Sequence, residues 1–233
     1  MKLFKKIGFV LLPCFSLLAC TKLDEKLNSS LTFPQAQQVA DVKGLLQAAY
    51  DALQAYQDPS ANISSLSENS TDESLVPTRG PDWDDNGVWR AVHAHTWGPD
   101  HSQVINAFND LLGISFNATN VLQFKPSAQQ AAEARFIRAF ADYSVLDLYG
   151  QVPYRDAGED LGKPSRVFQP ADALNFIITE INAVMNDLPD GSPSKAYKAN
   201  KDAARMLLMK CYLNKGAFLN RANPTFDAGD MTQ

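Results

Sequence analysis

Apolar residues recur at helical spacing through most of the chain. Val42, Leu45, Leu46, Ala49, Tyr50, Leu53 and Tyr56 fall at offsets 0, 3, 4, 7, 8, 11 and 14, which is one face of a 3.6-residue period. Ahead of them, Thr32-Phe33-Pro34-Gln35 has the form of a capping box, with Thr accepting from the backbone and Gln reaching back. A single helix opening at Thr32 and carrying the whole stripe is predicted. Asp100-His101-Ser102-Gln103 caps a second, whose stripe is Val104, Ile105, Phe108, Leu111 and Leu112. A third opens at Ser127-Ala128-Gln129-Gln130, carries Phe136, Ile137, Phe140 and Tyr143, and stops at Gly150. Pro170 suits the first turn of a fourth, with Phe176, Ile177, Ile181, Val184 and Leu188 inside. A fifth runs from about Asn200 to Lys215. No convincing alternating run exceeds four residues. The expected fold is all-α. Between Asp58 and Pro99 the chain is polar, holds all three Trp residues and shows little helical period, so a long Trp/Pro-rich loop insertion is expected there.

A faint internal repeat adds to this. Ala134-Arg135 and Ala204-Arg205 open similar helices 70 residues apart, and both helices are expected to end in Gly. That separation is close to twice the period of about 34 residues of tetratricopeptide units. Ala139, Ala141, Ala203 and Ala204 would let paired helices approach closely. Plain helical hairpins would give the same pattern, so tetratricopeptide-like hairpins are the expectation and the repeat is its weaker support.

The amino terminus changes the picture of where the chain resides. Lys2, Lys5 and Lys6 precede an apolar run from Ile7 to Ala19, too short for a bilayer span of about 20 residues and right for a signal segment. It ends in Leu17-Leu18-Ala19-Cys20, which looks like a bacterial lipobox. Residues 1–19 are thus expected to leave, and Cys20 to be lipidated, for instance by palmitate, with residues 20–31 as a tether. Several acyl chains anchor stably, since each buried methylene adds about 0.8 kcal/mol. Of the three cysteines, Cys14 leaves with the leader and Cys20 is acylated. Cys211 then has no disulfide partner, and its apolar helical surroundings make it core filler. The chain of 233 residues carries 21 basic and 26 acidic residues; without the three leader lysines, 18 face 26, a net charge of −8. A body this acidic, with no basic run, excludes nucleic acid as a partner.

Several of these features occur together in one known family. The lipobox, the tether Leu23-Asp24-Glu25, and Glu133-Ala134-Arg135-Phe136-Ile137-Arg138-Ala139 running into Leu148-Tyr149-Gly150-Gln151-Val152-Pro153-Tyr154 resemble the SusD/RagB family of surface lipoproteins. The loop from Ser70 to Trp83 is similar to a stretch in many members. The resemblance implies a tetratricopeptide-like scaffold over residues 32–233 that lids a TonB-dependent (SusC-like) outer-membrane transporter and captures oligosaccharide, or in some members peptide. It also implies an extracellular position on the outer membrane, held through the lipid anchor. Members are commonly about twice this length, so the chain reads as an amino-terminal part.

Three constellations bear on chemistry. Asp82-Trp83-Asp84-Asp85-Asn86-Gly87 matches the first six positions of a calcium loop, but position twelve is His93, a poor ligand for a hard cation. His93, His95 and His101 fall within nine residues with a spacing that breaks the His-x-His-x-Asp-His zinc turn. No metal or cofactor is expected. Acidic residues such as Asp72, Glu73, Asp82, Asp84 and Asp85 lack an evident rigid cleft to hold a glycosidase pair, so no enzyme activity is expected. Sugar binding asks for less: flat rings against C–H faces, with polar forks on hydroxyls. Trp83, Trp89 and Trp97, with Arg79, Asp82 and Asn86 (and Arg90 nearby), supply both within nineteen residues of loop-like sequence. The expectation is a glycan-binding module. A helical-repeat interaction protein gripping peptides, or only the transporter, is the alternative.

Overall fold

The computed structural model describes residues 30–57, 63–77 and 85–232. The leader, the lipobox with Cys20 and most of the tether lie outside the described residues. Eight α-helices follow in order: α1 (Phe33–Val39), α2 (Val42–Ala52), α3 (Ile63–Asn69), α4 (Val88–His93), α5 (Ser102–Leu122), α6 (Ala128–Tyr149), α7 (Pro170–Val184) and α8 (Lys201–Leu219). Between α6 and α7 a small antiparallel hairpin pairs β1 (Val152–Tyr154) with β2 (Arg166–Phe168), Val152 opposite Phe168 and Tyr154 opposite Arg166. Among the described residues the chain is all-α apart from this hairpin, whose three-residue strands are too short for alternation to reveal. Among the described residues no helix is long and apolar enough to cross a membrane.

The long helices begin where local chemistry says they should. The Ser127 hydroxyl accepts from the Gln130 N–H while the Gln130 side chain accepts from the Ser127 N–H, closing a capping box on α6. At the other end Gly150 takes a left-handed φ of 79° and returns its N–H to the Leu146 carbonyl. Pro170 starts α7. The Asn200 side chain caps α8 through the Ala203 N–H.

Four expectations need correction. The first predicted helix is two: the chain is extended at Ala40, and Asp41 starts a new helix by accepting from the Gly44 N–H at 2.9 Å. α5 starts at Ser102, with His101 at the cap position, and continues ten residues past Leu112. α8 does not end at Gly216. It runs on to Leu219, and the Thr225 carbonyl packs so close to Gly216 that a Cβ has no room there. Finally, the segment from Asp58 to Pro99 is not loop throughout. It contains α3 and α4, which bury Ile63, Leu66, Trp89 and Val92 in the common core.

α6 is the centre of the fold, packed by α2, α5, α7 and α8. Its alanines at 132, 134, 139 and 141 are fully buried and let these neighbours approach closely, while Leu111, Ile114, Ile137, Leu146, Ile177 and Ile181 fill the core. Helices α5 and α6 form one hairpin and α7 and α8 another, the arrangement expected from the repeat. Cys211 is wholly buried in α8, and burial pushes its thiol up to about 12, so it is inert filler as expected.

Charge threads this core. The Glu180 carboxylate of α7 accepts from Arg135 at 2.6 and 3.0 Å and from the buried Arg138 at 2.6 Å. Burial works to raise the Glu180 carboxyl, but the two guanidinium groups outweigh it and hold it below the usual range. Nearby, Tyr50 of α2 donates to Glu133 at 2.5 Å and accepts from the Ala199 N–H at 3.0 Å, tying α2 to α6 and to the start of α8. Asp142 is fully buried and accepts from Ser115 at 2.9 Å, while its second oxygen and the Nε of Arg138 have no hydrogen-bond partner. Burial pushes its carboxyl up to about 7, against the pull of Ser115 and Arg138.

That last value sets a pH dependence. An unfolded Asp titrates near ~3.9, so between that pH and about 7 the native chain holds a proton the unfolded chain has released. The Asp142 contribution to stability is therefore complete below about pH 4 and is lost as pH rises, at up to about 1.4 kcal/mol per pH unit. Urea melts from pH 4 to 8 should show this slope, and Asp142→Asn should flatten it. An identical slope in the variant would mean that burial does not raise the Asp142 carboxyl.

Candidate functional site

Of the six predicted ligand residues, Arg79, Asp82 and Trp83 lie outside the described residues. The other three lie at one corner of the molecule, where α3, α4 and the start of α5 meet, but in unlike environments. Asn86 and Gly87 both take left-handed backbone, φ 56° and 82°, so the chain reverses just before α4 and leaves Asn86 exposed. Trp89 then falls on the inner face of α4 and is 2% exposed, packed with Val92 into the core. A ring enclosed on that scale cannot offer a face to a sugar. Its assignment as a ligand residue is corrected to a structural one.

Trp97 is different. It lies four residues past α4, 41% exposed, in the connection to α5. Its ring meets the His95 ring edge-on at 5.2 Å between centroids. His95 in turn has a left-handed φ of 54° and donates from Nε2 to the Ser70 carbonyl at 2.7 Å, just beyond α3. The indole is thus held against a second ring that is itself fastened to another helix. His101 donates from Nε2 to the Val88 carbonyl at 3.1 Å, which ties the start of α5 to the start of α4. Two of the three histidines that a zinc reading would gather, His95 and His101, serve instead as braces between helices. Among the described residues no group of three or more His, Cys, Asp or Glu side chains is placed to hold a metal ion.

His95 is the residue for which sequence reasoning, having set the zinc pattern aside, found no role. The useful signal was the His95-x-Trp97 spacing, which lets one ring support another across a turn. For Trp89 the signal was the pair Trp89 and Val92, i and i+3, repeating the pair Ile63 and Leu66. Either pair alone is too short to stand out as periodic.

The chemistry of this corner is an exposed, braced indole before α5 and an exposed amide before α4. Comparison with known proteins places the scaffold. A laminarin-binding SusD-like protein superposes with a TM-score of 0.62 at 21% identity, over 75% of this chain and 40% of that one. The chain has the SusD-like fold. Surface glycan-binding protein A from Bacteroides thetaiotaomicron, solved with laminarihexaose, superposes at a TM-score of 0.57 and 18% identity, over 80% of this chain and 43% of that one. In sequence the chain is 22% identical to the starch-binding protein SusD of Bacteroides thetaiotaomicron over 148 residues. That alignment takes in 60% of this chain and 26% of SusD, so the chain matches about a quarter of the curated relative's length. No family model matches. Within this SusD-like scaffold, the corner formed by α3, α4 and the start of α5 carries Asn86 and Trp97 on its outside.

The two tryptophans should separate cleanly in stability. Trp89→Ala removes a core ring and should cost about 3–5 kcal/mol. Trp97→Ala should stay within about 0.5 kcal/mol of the parent, as for other surface substitutions. Chemical melts of both variants measure this, and comparable losses would place the Trp97 indole in the core.

Proposed function

We propose that this chain is the glycan-capturing part of a surface lipoprotein, anchored through acylated Cys20 on the extracellular face of the outer membrane. It hands oligosaccharide to a TonB-dependent, SusC-like transporter. The observation that carries the reading is the exposed, braced indole of Trp97 on a scaffold shared with glycan-binding proteins. A pyranose presents a patch of C–H groups, and an aromatic ring covers it at little entropic cost because the ring is already held. Asn86 brings an amide that both donates and accepts. Arg79, Asp82 and Trp83, from the segment of sequence just before Asn86, complete the proposed ligand set, and Trp89 does not belong to it. The role is binding without turnover.

A second reading, capture of peptides or docking of the transporter alone, draws on one surface. Met206, Met209 and Leu213 form an exposed apolar stripe on α8 at i, i+3 and i+7. Such a stripe suits contact with another protein. Both uses fit one molecule, since the stripe and the Trp97 corner lie on different helices.

Two measurements test the proposal. On a glycan array, Trp97→Ala should lose binding by about fivefold to tenfold, corresponding to roughly 1 kcal/mol of stacking, while its melting temperature stays near the parent's. Glycan binding unchanged in the variant removes Trp97 from the site. Metabolic labelling with an alkyne fatty acid should mark the parent and leave Cys20→Ala unlabelled and released or uncleaved. Equal label in both would sink the anchor.

A further inference from the structure

A cleft of about 220 Å³ lies between α5 and the β-hairpin, away from the Trp97 corner. On the α5 wall Leu112 and Phe116 lie one turn apart among Ser115, Thr119 and Gln123, and Phe116 is 52% exposed. Opposite them the hairpin presents Tyr154, Arg155, Asp156 and Glu159, with Leu161 also lining the cleft. The volume is below the roughly 300 Å³ at which drug-sized sites begin, so it has room for one ring rather than several.

The hairpin wall is held rigid by its own charges. Arg155 donates to the carbonyls of Asp160 and Lys163, which cinches the loop between the strands. Arg166 donates to Asp156 at 2.6 Å and to Glu159 at 2.9 Å. Tyr154 donates to the other Asp156 oxygen at 2.6 Å, and its ring stacks on Phe168 and meets Phe176 edge-on. The Tyr154 hydroxyl, followed by Arg166, holds the Asp156 carboxyl below its ordinary range, so it is an ionised acceptor at neutral pH. Carboxylate oxygens have about four lone-pair sites between them, so acceptor capacity remains beyond these bonds. Residues 155–166 carry three basic and three acidic side chains, leaving no net charge to select an ion.

An exposed ring flanked by polar side chains, opposite a hairpin whose charges balance and whose carboxylates can accept further bonds, with room for one ring, is the complement of a neutral sugar. We propose that this cleft binds a single neutral pyranose ring, its C–H face on Phe116 and its hydroxyls on Asp156 and Glu159. The ligand class rests on the glycan reading above, but the site is separate from Trp97 and stands or falls by itself.

Amide NMR of the full chain, titrated separately with glucose, galactose, mannose and xylose, tests it. At least one sugar should shift amides within 112–123 and 154–163 with millimolar affinity. Phe116→Ala, a change at an exposed position, should weaken that response at least tenfold, while Trp97→Ala should leave it alone. The proposal is overturned if none of the four sugars shifts these amides, if Phe116→Ala has no effect, or if methylammonium shifts them in place of the sugars. A response kept at 95–98 but absent from the cleft counts against this site only. The converse counts against the Trp97 site only.

Discussion

One buried carboxylate fixes how the two halves of this helical scaffold meet. Glu180 enters the core from α7 and is grasped by Arg135 and Arg138, which stand one turn apart on α6. Moving Glu180 away would strand the buried Arg138 guanidinium in the interior, at about 3–5 kcal/mol, so sliding or rotating α7 on α6 is strongly disfavoured. Apolar ridges alone would leave neighbouring registers closer in energy. Arg138 then extends the constraint outward, because its guanidinium lies 5.4 Å from the Tyr154 ring and 5.6 Å from Phe176. Through that contact the ion pair in the core also positions the hairpin between α6 and α7. The Ala-Arg-Phe-Ile-Arg run that marks the sequence is thus a packing device: alanines for close approach, arginines for register.

How much of this was legible follows from length and from caps. α6, α7 and α8 were readable because each has both a long apolar stripe and a defined start at Ser127, Pro170 or Asn200. The break at Asp41 was hidden because the stripe from Val42 onward is compatible with the capping box at Thr32, and only the Asp41 side chain decides in favour of a second start. α3 and α4 were missed since helices of six or seven residues show only one or two core positions apiece. Their helical state is set by tertiary contact rather than by propensity. The ionic network was invisible for a different reason. Arg135, Arg138 and Asp142 look like ordinary polar positions until α7 and α5 are laid over them.

At the candidate site the same logic decided which tryptophan was read correctly. Trp97 follows a helix end and precedes Gly98-Pro99, a setting in which neighbours in sequence cannot enclose a ring. Its exposure was therefore readable. Trp89 follows an Asn-Gly turn too, but that turn launches a helix, and the helix rotates the indole inward. Local sequence placed both rings in a loop, and a six-residue helix sent them in opposite directions.

The cleft and the Trp97 corner share a design that bears on what they can do. In each, an aromatic ring is exposed while the chain around it is fastened by short polar links: His95 to the Ser70 carbonyl at one, Arg155 to the carbonyls of Asp160 and Lys163 at the other. Binding a flexible polyhydroxylated chain already costs the ligand conformational freedom, and a site that must also order itself adds to that cost. Loops pinned in advance avoid the second loss. The charges of Glu180, Arg135 and Arg138 in the core, and of Arg166, Asp156 and Glu159 in the hairpin, are meanwhile committed to one another. What faces solvent at these two places includes exposed ring area and hydrogen-bonding capacity, a surface matched to hydroxyl-rich ligands.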